Sequence, residues 1–287
     1  MVQAAPLLGD HEATLDRIAA ALERARGADL VVFPEAFVGG YPKGLTFGAT
    51  VGERTAGGRA LFGRYRRAAI DIPGEHFTAI QQAVARHRAH IVLGVIERSG
   101  GTLYCTAVLL APDGTLLGKH RKLVPTGSER LIWGRGGAAD IGVVGTDLGR
   151  IGMAVCWENY MPLYRAALYE QGVQIWCAPT VDGRDTWTAT MRHISVEGRC
   201  FVLSANQFAV PADYPGDFGV SDVDGVTIRG GSCIIDPYGE FLAGPCFDQP
   251  AVLTADLDLS TLDGAYLDLD VAGHYARPDL LRLHRPG

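Results

Sequence analysis

Cys156 is the residue whose surroundings in the sequence most favour nucleophilic chemistry. It ends the apolar run at residues 152–156, which predicts a strand, and the amphipathic segment 163–171 follows soon after it. A thiol placed where a buried strand meets a helix N-terminus faces backbone N–H groups and the positive end of the helix dipole, and both favour the thiolate. The alternative is a core cysteine that ends a strand, because free cysteine is among the most buried residue types.

The other five cysteines fit that alternative, because they lie in or beside apolar runs: Cys105, Cys177, Cys200, Cys233 and Cys246. No two of them have the Cys-x-x-Cys spacing of a zinc or redox site. The N-terminus does not have the pattern of a secretory leader, so we expect no disulfide framework and predict a reduced, cytoplasmic protein. The eight histidines are scattered, and we expect neither a metal nor another cofactor.

Glu35 and Lys122 are charged residues at places where the hydrophobic pattern predicts burial. Each follows or ends a strand-like apolar segment. Alternate side chains of a strand share a face, so His120 points with Lys122, whereas Lys119 and Arg121 point the other way. Taken singly, Glu35 is typical of a salt-bridging carboxylate at a strand end, and Lys122 of an exposed lysine on an edge strand.

Cys156, Glu35 and Lys122 share one feature, which is that each lies at the carboxyl end of a predicted strand. Open α/β sheets place their functional sites at those ends. We therefore predict that the three side chains converge on one cleft, although they are far apart in the sequence.

Helical and strand periods alternate along the chain. Apolar residues with i, i+3, i+7 spacing predict helices around residues 15–22 and 77–84, and a Val- and Ile-rich strand follows each of them. Turn residues between apolar runs predict antiparallel hairpins, so the expected fold is α/β with mixed β-sheets. These hairpin signals lie at residues 111–114, 146–149 and 236–239.

The domain organisation is expected to be simple. Neither a repeat nor a low-complexity tract marks a boundary, and we predict one domain over residues 1–287. The segment from Pro211 to Arg229 is rich in Gly and Asp, which predicts a long loop that could act as a lid.

Composition excludes several classes of protein. The chain is 47% hydrophobic and 20% charged with a net charge of -6, which is typical of a globular protein and argues against nucleic-acid binding. The five arginines between residues 54 and 67 are interrupted by glycines and apolar residues, so they indicate a solvated face or a subunit contact. The chain lacks an apolar run of about 18 residues, and we expect no membrane span.

Three short motifs make the chain resemble the nitrilase superfamily of carbon-nitrogen hydrolases over nearly its whole length. The family's glutamate, lysine and cysteine motifs are similar to residues 33–37, 120–126 and 156–159, in the same order and with similar spacing. The resemblance is closest to the nitrilase branch, in which Cys-Trp-Glu-Asn is followed by Tyr-Met-Pro as in this chain. That branch also has a Thr-Gly-x-Glu-Arg segment like residues 126–130 and a helix like residues 191–198.

The resemblance implies a nitrilase-like αββα sandwich that pairs through a helical face into a larger αββααββα dimer. Many nitrilases continue past the last sheet strand with a tail that helps to build spiral oligomers, whereas this chain stops soon after residues 274–278. The start is also trimmed at residues 2–6 relative to the family pattern. We therefore expect a homodimer rather than a filament, with a higher oligomer as the alternative.

The resemblance also implies the chemistry. Cys156 attacks a nitrile carbon, while Glu35 takes the thiol proton, passes it to the nitrogen and later activates water. Lys122 and the backbone N–H of Trp157 stabilise the charge of each tetrahedral stage. Glu129, which matches the family's second glutamate, orients Lys122 and the water; its alternative is an exposed acid in a loop.

The reaction implied is hydrolysis of a small organic nitrile to the carboxylic acid and ammonia through a thioimidate and a thioester. By position in the family pattern, the pocket walls are Tyr41, Trp157, Thr180 and Trp187, although aromatic residues are also ordinary in cores. Two alternatives within the class are an amidase acting on a small amide and a cyanide hydratase or dihydratase. A different class is a catalytically silent assembly module with the same fold.

Two histidines lie near the motifs. His120 shares a face with Lys122, and His193 lies on the segment that resembles the family's helix after the cysteine strand. We expect structural hydrogen bonding from both, because Glu35 already fills the position of the base. A Cys-His hydrolase remains the second mechanism.

Overall fold

Two β-sheets face each other in the computed structural model, which describes residues 1–218, 227–282 and 284. The first sheet has four strands in the order β2-β3-β4-β5. Its β2 runs parallel to β3, and the other pairs are antiparallel. The strands of this sheet are β2 (Leu30–Val32), β3 (His90–Ser99), β4 (Thr102–Leu110) and β5 (Leu116–Arg121).

The second sheet has seven strands in the order β10-β11-β9-β8-β7-β6, with β12 also pairing with β11. Its centre is parallel, from β7 through β8 to β9, and its margins are antiparallel. The strands are β6 (Val143–Thr146), β7 (Gly149–Met153), β8 (Ile175–Cys177), β9 (Phe201–Ser204), β10 (Phe208–Ala209), β11 (Ile228–Ile235) and β12 (Phe241–Phe247). A separate antiparallel pair joins β1 (Val2–Gln3) to β13 (Ala251–Val252).

Helices cover the outer face of each sheet. On the four-stranded sheet, α1 and α3 pack through Ile18, Leu22, Phe77 and Ile80. On the seven-stranded sheet, α4 and α5 pack through Tyr164, Leu168, Met191 and Ile194. The described helices are α1 (His11–Arg24), α2 (Ala56–Ala68), α3 (Glu75–His87), α4 (Pro162–Tyr169), α5 (Asp185–Gly198) and α6 (Thr261–Asp268).

The core of the protein confirms the predicted αββα sandwich, because apolar side chains form three buried clusters between four layers. Strand alternation creates them: Val92 of β3 faces the other sheet, whereas its neighbours Ile91 and Leu93 face the helices. In β8, Ile175 and Cys177 point between the sheets and Trp176 points outward. Strands that are apolar on both faces are therefore covered on both faces.

The predicted elements around residues 15–22 and 77–84 are the helices α1 and α3, and all three hairpin signals join antiparallel strand pairs. Asp10 caps α1 by accepting a hydrogen bond from the Ala13 N–H at 2.9 Å.

The interpretation of Pro211 to Arg229 as one loop is wrong at both ends. Residues 211–213 and 216–218 form 3-10 turns, and Tyr214 and Phe218 are buried in the core between the sheets. At the other end, Ile228 begins β11. Tyr214, Phe218 and Ile228, which lie among the Gly and Asp residues, pack against the core and so fix both ends of the segment. The rest of the predicted lid, residues 219–226, lies outside the described residues.

In the part of the chain that the structure describes, none of the helices has the length and apolarity that crossing a bilayer requires.

Candidate active site

Glu35, Lys122 and Cys156 each lie just beyond the carboxyl end of a strand, and they come from both sheets. Glu35 follows β2 and Lys122 follows β5 of the four-stranded sheet, whereas Cys156 follows β7 of the seven-stranded sheet. The site therefore lies at the seam between the two sheets, and its geometry depends on how the sheets face each other.

The Glu35 segment is held close to β3 and to the end of β9. A Cβ atom at Gly94 would collide with the Pro34 carbonyl oxygen and lie 2.7 Å from the Glu35 Cα, so only glycine fits there. The Gln207 side chain donates a hydrogen bond to the Glu35 carbonyl oxygen at 2.7 Å. Ala36 takes a φ of 52°, which turns the chain sharply after the carboxylate.

Lys122 is a buried cation between two carboxylates. Its Nζ lies 2.7 Å from Glu35 Oε1 and 2.8 Å from Glu129 Oε2, and its side chain is fully inaccessible to solvent. Burial lowers its pKa, but the neighbouring acidic groups, Glu35 first among them, together raise it by more, so the pKa lies well above the ordinary value. The ammonium is therefore charged, and Lys122 is not the exposed edge-strand lysine of the alternative.

Glu129 is buried rather than an exposed loop acid. It lies in the 3-10 turn Gly127–Leu131, where its Oε2 also accepts a hydrogen bond from the Thr126 N–H at 2.6 Å. Its Oε1 accepts a hydrogen bond from the Tyr41 hydroxyl at 2.8 Å. These contacts fix the carboxylate that orients Lys122.

Cys156 begins a 3-10 turn, Cys156–Tyr160, with a φ of 52° that is uncommon for a residue with a Cβ. Strained backbone of this kind recurs at functional sites. The Thr180 hydroxyl lies 3.2 Å from its sulfur. Asn159 holds the turn by donating from Nδ2 to the carbonyl oxygens of Ala154 and Cys156 at 2.9 and 2.7 Å.

The expectation that its position lowers the pKa of Cys156 is wrong. The regular helix α4 begins only at Pro162, beyond the 3-10 turn, so the dipole of a long helix does not act on the sulfur directly. Burial and then the Glu35 carboxylate raise the pKa of Cys156 well above its ordinary value, while Lys122 lowers it by less. The resting thiol is neutral, and a base must take its proton.

Glu35 is suited to be that base, because its two oxygens differ. Oε1 accepts hydrogen bonds from Lys122 and, at 3.4 Å, from the Cys105 thiol. Oε2 is buried and has no hydrogen-bond partner among the described residues. Burial raises the pKa of Glu35 above its ordinary value, although Lys122 lowers it. A buried carboxylate with one free oxygen and a raised pKa can accept and return a proton.

Cys105 and Glu158 contribute to the site, and sequence reasoning missed both. Cys105 is one of the cysteines assigned to the core, and its apolar neighbours give no sign that its thiol touches Glu35. Glu158 is a buried carboxylate that accepts from the N–H groups of Leu123 at 2.5 Å and Val155 at 2.8 Å. It thereby ties the residue after Lys122 to the residue before Cys156. The sequence did contain a signal for Glu158, because it lies only two residues after Cys156.

His120 supports Glu158 and makes no contact with Cys156. Its Nε2 lies 2.8 Å from Glu158 Oε2, and its Nδ1 lies 2.6 Å from the Asp140 carbonyl oxygen. His193 is on the exposed side of α5, 3.5 Å from Glu197. These placements fit the structural roles expected for both histidines.

His120→Gln is expected to remove a pH-dependent part of the stability. Burial lowers the pKa of His120, but Glu158 and the Asp140 carbonyl raise it by more, so the pKa lies above its ordinary value. Protonated His120 therefore stabilises the folded state. This stabilisation is complete below the pKa of histidine in the unfolded chain, about 6.5, and is lost as pH rises through the pKa in the folded protein. In urea unfolding, the advantage of the wild type over the variant should shrink as pH rises above about 6.5. An advantage that grows with pH would contradict this.

A cavity of about 680 Å³ opens at Cys156. Two of the residues proposed as pocket walls, Trp157 and Tyr41, line it together with apolar side chains that include Leu45, Phe47 and Leu131. Trp157 is 41% exposed, and its Nε1 donates to Asp182 Oδ2 at 2.9 Å. We name this cavity the cleft.

Thr180 and Trp187 differ from the pocket walls that were predicted. Thr180 is fully buried behind the cleft, in contact with the Cys156 sulfur. Trp187 lies on the face of α5 that packs against the seven-stranded sheet, and its Nε1 donates to Ser204 Oγ at 2.8 Å. Trp187 is therefore a core residue, and its expected place in the wall of the cleft is corrected.

Comparison with known proteins defines the class to which this fold and site belong. The carbon-nitrogen hydrolase family model matches residues 1–266, and the chain belongs to the carbon-nitrogen hydrolase family. An aliphatic nitrilase of Sinorhizobium fredii (strain HH103) is 50% identical over 288 residues, which cover 99% of this chain and 93% of that protein. A bifunctional nitrilase/nitrile hydratase of Nicotiana tabacum is 50% identical over 292 residues, which cover 99% of this chain and 84% of that protein.

A solved structure supports the fold independently. A carbon-nitrogen hydrolase from Helicobacter pylori G27 has a TM-score of 0.73 and 20% sequence identity to this chain, and the match covers 99% of this chain and 98% of that one. The predicted family and the predicted fold are both confirmed.

Proposed function

We propose that this protein is a nitrilase, which hydrolyses an organic nitrile to the carboxylic acid and ammonia through covalent intermediates on Cys156. The observation that carries the proposal is the buried Glu35–Lys122–Glu129 array beside a cysteine that opens into a cleft. The names of the two relatives support nitriles as the substrate class.

In the proposed first half of the reaction, Glu35 takes the thiol proton of Cys156 as the sulfur attacks the nitrile carbon. Glu35 then gives the proton to the nitrogen, which leaves a neutral thioimidate. A water molecule, deprotonated by Glu35, adds to the thioimidate carbon and forms a tetrahedral intermediate that carries sulfur, oxygen and nitrogen. Glu35 returns that proton to the nitrogen, which becomes an amine. As the hydroxyl oxygen becomes the thioester carbonyl, its proton passes through Glu35 to the amine, the carbon–nitrogen bond breaks and ammonia leaves.

The second half is hydrolysis of the resulting thioester by another water molecule, again with Glu35 as the base, and it returns the thiol and the carboxylic acid. Lys122 and the Trp157 backbone N–H stabilise the charge that develops in the additions, each by about 3 kcal/mol as for comparable donors. Glu129 holds Lys122 in place through the contact at 2.8 Å.

The tetrahedral intermediate can break down in a second way. Loss of the sulfur instead of ammonia releases an amide, so the product ratio depends on which leaving group is protonated or stabilised. The bifunctional nitrilase/nitrile hydratase relative supports amide as a minor product. The cleft of about 680 Å³ is far larger than cyanide requires, and its apolar side chains suit an organic substituent.

The proposal is tested by measuring ammonia, acid and amide from a panel of aliphatic, arylaliphatic and aromatic nitriles, with cyanide and the matching amides included. Cys156→Ala is the control for every substrate. We expect ammonia and acid from at least one nitrile, and no turnover by the variant. Amide as the sole product would make the protein a hydratase, and turnover of amides alone would make it an amidase.

Tyr41→Phe is expected to lower kcat about tenfold, because a hydrogen bond to a charged group contributes about 1.5–3 kcal/mol. The variant leaves Glu129 Oε1 without its donor, while Lys122 keeps its contacts with Glu129 Oε2 and with Glu35. Steady-state kinetics on the best nitrile measures the effect. Tyr104→Phe, at a half-buried position of β4 whose ring lies beside Arg121, is the matched control and should keep kcat within about twofold. Equal rates for the two variants would contradict this role.

We also propose that two copies of the chain pair through the helical face formed by α4. Exposed apolar side chains on α4 and near the C-terminus support this, namely Leu163, Tyr275, Leu280 and Leu281. Light scattering tests it, with a dimer expected and a strictly monomeric active species as the contrary result. Location in the cytoplasm stays a prediction.

A further inference from the structure

Thr180 holds the one hydroxyl group that contacts the Cys156 sulfur among the described residues. Its Oγ1 lies 3.2 Å from Sγ, and the residue is fully buried. The same oxygen accepts a hydrogen bond from the Asp182 N–H at 3.0 Å. A hydroxyl has one proton to donate, and because the backbone amide occupies a lone pair, that proton is left for the sulfur.

The backbone around Thr180 fixes this direction. The Thr180 N–H donates to the Ala205 carbonyl oxygen at 2.8 Å, and the Cys156 N–H donates to the Pro179 carbonyl oxygen at 2.9 Å. Asp182 is held in turn, since Arg184 and Trp157 both donate to its carboxylate. The hydroxyl is therefore directed at the sulfur before any substrate enters, and reaction requires little reorganisation there.

We propose that Thr180 is a catalytic residue, whose hydroxyl donates a hydrogen bond to the Cys156 sulfur and stabilises it whenever it carries negative charge. Sulfur is anionic twice in the reaction, when Glu35 removes the thiol proton and when the thioester collapses and sulfur leaves. Hydrogen bonds to an ionised acceptor are stronger than those to a neutral one, so the contact favours the thiolate over the thiol. This inference deepens the proposed function and rests on it for the role in turnover.

The physical setting makes such a donor necessary. Burial and the Glu35 carboxylate both raise the pKa of Cys156, and Lys122 and Thr180 are the neighbours that lower it. Lys122 is shared between two carboxylates, so its charge is largely compensated. Thr180 is uncharged and touches the sulfur directly.

The test measures the rate of alkylation of Cys156 by iodoacetamide against pH, followed by mass spectrometry of the peptide that contains this residue. Thr180→Val removes the hydroxyl at nearly constant shape. It is expected to raise the pH midpoint of alkylation by about one unit and to slow alkylation at pH 7 about tenfold, because one pKa unit is a tenfold change in thiolate fraction. Thr180→Ser should return the rate to within about threefold of the wild type.

Nitrile turnover gives the second readout. For Thr180→Val we expect kcat to fall about tenfold with KM within about twofold, since the cleft walls are unchanged. Thr14→Val, which removes another buried hydroxyl in α1, is the matched control and should leave both measurements as in the wild type. If Thr180→Val does not fold, Thr180→Ala removes the same proton without the branched methyl group and carries the same expectations.

Alkylation needs no nitrile, so the two proposals fail separately. An unchanged pH midpoint in both folded variants would overturn the role of Thr180, even if nitriles are hydrolysed. A shifted midpoint would support it even if every nitrile in the panel were inert, and only the proposed function would then fail. A loss of stability with an unchanged midpoint would assign Thr180 a merely structural part.

Discussion

Replacing Lys122 by methionine is expected to destabilise the fold by about 3–5 kcal/mol and to abolish nitrile turnover. The variant leaves Glu35 and Glu129 buried without the cation that both contact at 2.7–2.8 Å, and an uncompensated buried charge costs about that much. Urea unfolding at pH 7 measures the first effect, and ammonia release from folded protein measures the second.

Lys119→Met is the matched control for this change. Lys119 contacts the buried Glu97 at 2.7 Å, but its side chain is 29% exposed and Arg121 shares the same carboxylate. We expect a loss below about 1.5 kcal/mol, near the range for exposed pairs, and wild-type kcat. Equal destabilisation by the two methionine variants would contradict the account of Lys122 as the cation that two buried carboxylates require.

Glu35→Gln is expected to lower kcat by about 10³-fold while the protein stays folded, because general acid–base catalysis contributes about 10²–10⁴-fold. The amide oxygen can still accept from Lys122, but the side chain can no longer take the thiol proton. Alkylation of Cys156 at neutral pH should not slow in parallel, because loss of the Glu35 charge lowers the pKa of the thiol. Single-turnover kinetics with the best nitrile separates acylation from deacylation, and both steps should slow.

Glu97→Gln provides the comparison, since Glu97 is also a buried, ion-paired carboxylate of the four-stranded sheet. It should reduce stability without changing kcat per folded molecule. If Glu35→Gln kept full activity and His120 or His193 became essential, the mechanism would be that of a Cys-His hydrolase. The hydrogen bonds from His120 to Glu158 and Asp140 make that outcome unexpected.

Much of the fold could be predicted because the spacing of apolar residues in the sequence shows which faces of strands and helices are buried. Runs such as residues 90–96 are apolar on both faces, which requires cover on both sides and so indicates layers. Glu35, Lys122 and Cys156 could be proposed together because each lies at the carboxyl end of a predicted strand. That they come from two different sheets could not be seen, because a local pattern does not record which strands pair.

Other features of the site depend on contacts between distant residues. The sequence around Cys105 is typical of a core cysteine, and the pairing of β4 with β3, against which the Glu35 segment lies, brings its thiol to Glu35. Trp187 could be a wall or a core residue until the packing face of α5 is known. The pKa of Cys156 depends on complete burial next to a carboxylate, and this outweighs the local effect of the turn that follows it.

The central claim is that the Cys156 sulfur forms a covalent bond with the nitrile carbon, and the most direct test is acid quenching during turnover followed by intact and peptide mass measurement. The account predicts a thioimidate or thioester adduct on the peptide that contains Cys156. In the Glu35→Gln variant, the amount of this adduct should rise only if deacylation slows more than acylation. Steady ammonia release by the wild type without any adduct on Cys156, or by Cys156→Ala at all, would contradict it.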